Sequence, residues 1–164
     1  MSGSQSDDPG NPKYWRQLFG EAAEPFTADL REPTSIETLR QLHQHVLENY
    51  DFACAATGVK FLPGVQPWAL RDDVLVVPIK SPMAGGPLHV SNYLCLSRAA
   101  ADAFSLGHLA VGPHLELIVD LSRIDPELVE RLNADGRLRE PQEKARPDPE
   151  SLSFHRAEIF LASP

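Results

Sequence analysis

Val74-Leu75-Val76-Val77-Pro78-Ile79-Lys80, then Ser81-Pro82-Met83-Ala84-Gly85-Gly86-Pro87, then Val90-Ser91-Asn92-Tyr93-Leu94, then Ser97 ahead of Arg98 to Phe104 and Gly107: this ordered run decides how the chain folds. The β-branched stretch over 73–80 predicts a strand with a proline near its end. Val74 to Val77 are apolar at successive positions, a pattern suited to burial on both faces. The Gly- and Pro-rich stretch over 81–87 predicts a loop. Ser97 is placed to cap a short helix over 99–104, and Gly107 to stop it.

Outward from that run, Thr34 and Glu37 form a capping box ahead of the strongest helical signal. Ile36, Leu39, Leu42, Val46, Leu47 and Tyr50 repeat at helical spacing, so a long helix is expected to reach about Ala55, with Gly58 as its stop. Residues 59–62 and 68–70 read as short strands. Leu109 to Val111 and Leu115 to Leu121 read as a hairpin turning on Gly112-Pro113. Asp125-Pro126 opens a helix to about Asn133, residues 136–150 read as loop, and residues 151–161 as a closing helix with Leu152, His155 and Ile159 on one side. Upstream, residues 1–11 have the composition of a flexible leader. Residues 12–33 hold a short helical signal, with Tyr14, Trp15, Leu18 and Phe19 on one face, and a connector broken by Pro25 and Pro33. Residues 34–164 then form the domain, with no internal repeat.

The 164 residues, 42% of them apolar, suffice for one buried core. Fifteen Lys and Arg against 23 Asp and Glu give a net charge of −8, which opposes general coating of nucleic acid. No apolar run is long enough to span a membrane and no secretory leader opens the chain, so a cytoplasmic location is the default expectation. Cys54 and Cys95 permit one disulfide at most and lack zinc-ribbon spacing; buried thiols are the expected reading.

Residues 50–112 resemble the HNH endonuclease family, in its bacterial restriction-type branch. The resemblance rests on Cys54-Ala55-Ala56-Thr57-Gly58, on Val77-Pro78-Ile79-Lys80 at the strand end, on Gly85-Gly86, on Ser91-Asn92 before apolar residues, and on residues 99–105. Phe154-His155-Arg156 and Phe160 resemble the signature that closes this branch. The resemblance implies an α+β fold: an HNH-like ββα core flanked by helices, with a long helix on its N-terminal side and a helix at its C-terminal end. It also implies a nuclease site in which one divalent metal sits against the scissile phosphate while a histidine activates water.

The departures fall on that chemistry. Pro78 stands where the family places its general-base histidine, and Ala101 where it places a metal-binding histidine. Leu75 and Ser105 stand at positions that are often acidic. Asn92 alone of the three naming residues survives; in the family it orients the base through a backbone contact. Methyl and isobutyl groups offer a cation no lone pairs. The expectation is therefore a catalytically inactive, non-enzymatic nuclease-like protein with no cofactor, acting as an interaction or regulatory module through a protein partner or self-association.

Three other readings stay open. Lys80, Arg98 and Arg156, where family members direct positive charge to DNA, could serve nucleic-acid binding without cleavage. His89, His108 and Asp102 could rebuild a relocated metal site for an active nuclease. An enzyme of another class could reuse the cleft, although neither Ser91 nor Ser97 shows a triad pattern. Among the remaining residues, His43 and His45 are expected at the surface, His114 in a turn, and His155 buried and hydrogen-bonded. Trp15, Phe19, Trp68 and the far side of the long helix are candidates for an association surface.

Overall fold

The computed structural model describes residues 36–141 and 145–161. The leader, the aromatic segment at residues 14–19, the connector and the Thr34–Glu37 capping box lie outside the described residues or side chains. The long helix, α1, spans Ile36–Asn49. Val46 and Leu47 on its inner face are buried, as is Tyr50 just past its end. It stops short of Ala55 because Asp51 and Phe52 take left-handed φ values of 55° and 53°, which no α-helix continues through. Gly58, at φ 75°, closes a tight turn instead, its N–H donating to the Cys54 carbonyl at 2.8 Å. That turn brings Ala53 opposite Lys60 in a single bridge, where a strand over 59–62 was expected. Trp68–Leu70 is a 3-10 turn. Pro63, Gly64 and Pro67 interrupt this stretch, and a ladder needs an unbroken row of donors.

The strand β1, Val74–Pro78, pairs antiparallel with β2, Tyr93–Ser97, in a register running from Val74 opposite Ser97 to Pro78 opposite Tyr93. β2 passes directly into helix α2, Arg98–Ser105, whose first turn is capped where the Ser97 hydroxyl accepts the Ala100 N–H at 3.4 Å. Gly107 follows at φ 78°. The hairpin β3, Leu109–Val111, and β4, Leu117–Val119, is antiparallel. Helix α3, Pro126–Arg131, begins under an Asp125 cap with proline in its first turn. Helix α4, Pro149–His155, runs on as a π-helical turn, Arg156–Phe160. The result is an α+β fold of helices and two small antiparallel sheets.

Tyr93 to Leu96 of β2 are buried, under Ala100, Ala101, Ala103 and Phe104 of α2 on one side of the chain's core and with α1 residues in the same cluster. β1 corrects an expectation: only Val74 is buried, and Leu75 to Pro78 are half-buried. Side chains are buried by what covers the faces of a strand; both strands of this sheet are paired on one edge only, and β1 is covered less completely than β2. The ladder phase also explains its proline. The Ile79 N–H donates to the Asn92 carbonyl at 2.7 Å, so antiparallel alternation places the Pro78 nitrogen on the outer edge. There a missing N–H removes no ladder bond.

Candidate functional site

The hairpin loop between β1 and β2 is held by one side chain. Asn92 is fully buried. Its Oδ1 accepts the Lys80 N–H at 2.9 Å, and its Nδ2 donates to the carbonyls of Lys80 at 2.9 Å and Pro87 at 3.2 Å. The side chain thus closes residues 80–87 onto the start of β2. Gly86 is required by the same arrangement, since a Cβ there would fall on the Lys80 carbonyl oxygen and within 2.8 Å of Asn92 Nδ2. Ser81 accepts the Met83 N–H at 3.2 Å within the loop, and Gly85 turns it at φ 90°. The Gly-Gly pair signalled a loop; that its second member is a steric necessity is visible only in three dimensions.

The positions singled out from the sequence lie on β1 and α2. Pro78 ends β1 half-buried, and Leu75 lies in the same strand, also half-buried. Ala101 is only 2% exposed on α2, between fully buried Ala100 and buried Ala103. Ser105 closes that helix at the surface. Three buried alanines on one short helix let it pack closely, so the helix position meets apolar groups. This donor set does not fit a divalent ion: none of Leu75, Pro78 or Ala101 offers a lone pair from its side chain. Among the described residues no three His, Cys, Asp or Glu side chains gather where they could hold a metal ion.

The relocated-site residues do other things. His89 Nδ1 accepts the Ser91 N–H at 3.1 Å, capping the short turn at 90–92, and lies 2.8 Å from the Ser91 hydroxyl. Asp102 pairs with Arg98 across one helical turn at 3.8 Å. The His108 carbonyl accepts the Asp120 N–H at 2.9 Å, and, behind the Ser122 hydrogen bond, the His108 side chain helps to hold the Asp120 carboxyl low.

The three cations considered for nucleic acid are likewise tied to separate partners. Lys80 Nζ lies 4.9 Å over the Phe154 ring, Arg98 holds its ion pair, and Arg156 Nη1 donates to the Val111 carbonyl at 2.8 Å. Further ion pairs join Lys60 and Arg139 to Asp51, Arg71 to Asp73, Arg123 to Asp120 and Arg146 to Glu140. Most are exposed and contribute little to stability, but they mix both signs of charge over the surface.

Two histidines enter the interior. His155 Nε2 donates to the Phe104 carbonyl at 2.8 Å, and its ring stacks on Phe104 with centroids 3.7 Å apart and planes 3° from parallel. Burial brings its pKa down to about 4, against the opposing pull of that carbonyl. His43, expected at the surface, is half-buried with its Nε2 shielded from solvent, and burial lowers it also to about 4. The free thiols of Cys54 and Cys95 are buried. Burial, aided by Cys54, pushes the Cys95 thiol up to about 12, so it is an inert core group. The hydroxyls of Tyr50, just beyond α1, and of Tyr93 in β2 are buried, and burial raises both well above the usual phenol range.

No protein-family model and no curated protein matches the chain. A solved structure does: a modification dependent TagI restriction endonuclease, with a TM-score of 0.56 and 21% identity. The likeness is one of fold. It covers 73% of this chain but 37% of the other, so this chain spans well under half the length of that endonuclease. No helix among the described residues is long and apolar enough to cross a membrane.

Proposed function

We propose that the chain is a degenerate HNH nuclease-like module that keeps the ββα scaffold and acts without catalysis, as an interaction or regulatory unit. The observation that carries the reading is Ala101, buried at 2% exposure on the helix that follows the hairpin. The family would need an imidazole there reaching a metal. Pro78 at the end of β1 supports it, because the position of the water-activating base holds a side chain that accepts no proton. Loss of a general base alone lowers a rate by about 10²–10⁴-fold, and without a metal site the main electrostatic stabilisation of the transition state is gone too. Asn92 supports the same reading from the other side: the family's backbone-orienting residue persists as the clamp of its loop. The fold likeness to a restriction endonuclease agrees with descent from a nuclease scaffold.

The test is a cleavage assay. The purified chain is incubated with plasmid DNA and with RNA while Mg²⁺, Mn²⁺ and Zn²⁺ are titrated in turn. No metal-dependent cutting is expected with any of them. Cutting that depends on metal and disappears in His89→Ala or His108→Ala would overturn the proposal in favour of a rebuilt site.

A further inference from the structure

Four of the large apolar side chains exposed among the described residues, Val59, Leu62, Val65 and Leu70, fall within one twelve-residue stretch. Leu62 is 75% exposed and Val65 wholly so. This stretch is not held open by chance packing. At its base the Arg71 guanidinium donates to the Leu62 carbonyl, pairs with Asp73 at 2.6 Å and lies 4.5 Å over the Trp68 ring. The Trp68 ring packs in turn on Phe52, with centroids 5.3 Å apart, just beyond the end of α1. The loop is closed at its neck and presents an apolar tip. Burying one such side chain contributes about 1.5–3 kcal/mol, so four together on a fixed frame mark an interaction surface.

We infer that this loop is the docking surface for the chain's own residues 12–19. Pro12-Lys13-Tyr14-Trp15-Arg16-Gln17-Leu18-Phe19 supplies aromatic and aliphatic groups to match the tip. Within a chain of net charge −8, residues 9–20 carry Lys13 and Arg16 and no acid. The exposed Asp72 lies at the edge of the loop, beside Leu70, with the sign to receive them. Length permits the contact. Residues 20–35 join Phe19 to the start of α1, and at about 3.3 Å per residue they reach on the order of 50 Å. The surface lies at the far end of α1, whose 14 residues measure about 21 Å. A tethered segment acts at an effective concentration in the millimolar range, so a weak contact suffices. The inference is independent of whether the chain cleaves nucleic acid.

The experiment uses the full chain. Val65→Cys is labelled with a nitroxide, which reacts selectively because Cys54 and Cys95 are buried. Amide signals are recorded before and after reduction of the label in dilute, isotope-labelled protein. The expected result is near-complete loss of the signals of residues 13–19, restored on reduction, with residues 1–8 largely retained. Equal attenuation of the two stretches overturns the inference. A mixture of spin-labelled, isotope-free chain with isotope-labelled wild type reports a second copy; attenuation of residues 13–19 found only there also overturns it. In the Trp15→Ser, Leu18→Ser double variant the attenuation should disappear while the amide signals of residues 36–141 keep their wild-type positions away from the loop, and its persistence would count equally against the inference.

Discussion

Asn92 shows how much of a loop one buried amide can hold. Its amide satisfies one N–H and two carbonyls of the loop that joins β1 to β2, with every contact within 3.2 Å. Those groups are part-buried, so losing the amide leaves donors and acceptors without water to replace it. Asn92→Ala is therefore expected to lower stability by about 2–4 kcal/mol, combining lost hydrogen bonds with a small cavity. Gly86→Ala should act similarly, because the backbone at Lys80 must move to admit a methyl group. Urea unfolding checks both: the midpoint should fall with little change in slope. A loss below about 0.5 kcal/mol for Asn92→Ala would mean that the loop holds without its clamp.

At the scale of elements, β1, β2 and α2 form a unit in which Pro78 and Ala101 have different physical standing. Pro78 faces its nitrogen to the open edge, so Pro78→Ala should change stability by less than about 1 kcal/mol, mostly through the freer unfolded chain. Ala101 packs in the core, so Ala101→His forces an imidazole into filled space and should cost about 1–3 kcal/mol. Thermal denaturation of the two variants separates them. An Ala101→His protein of wild-type stability that gains Zn²⁺ affinity would show that room for a site remains. This unit was legible in the sequence because each of its parts has a local cause: the β-branched run, the Gly-Gly loop, the Ser97 cap and the Gly107 stop all appear as read. The end of α1 was not, since nothing local announces left-handed Asp51 and Phe52. The exposure of β1 was not either, because the layers that cover a strand's faces come from elements distant in sequence. His43 was legible in hindsight. It precedes Val46 by three positions and Tyr50 by seven, which places it on the stripe that packs inward.

Across the whole molecule, those two interior imidazoles link stability to pH. His43 belongs to α1 and His155 to α4, so global unfolding releases both. Each has its pKa lowered to about 4 in the folded chain, against about 6.5 in an unfolded one. Between these values the unfolded chain takes up a proton that the folded chain refuses, so stability rises with pH across the window. Their contribution is complete above about pH 6.5, declines as pH falls, and is gone below about pH 4. At about pH 5 the loss is on the order of 2 kcal/mol for His155, less for His43 because its ring is partly open to water. The carboxyls of Asp73 and Asp120, held low chiefly by hydrogen bonds from Arg71 and Ser122, and that of Glu116, held low chiefly by its own backbone N–H, begin to matter only at still lower pH. Urea denaturation at about pH 7 and about pH 5 reads the difference. In His155→Phe the aromatic stack on Phe104 persists and the titrating nitrogen is gone, so the fall between the two pH values should shrink by roughly half or more. An unchanged fall in that variant would mean that His155 is already protonated in the folded chain, with its Nδ1 proton carried among apolar neighbours that offer it no acceptor.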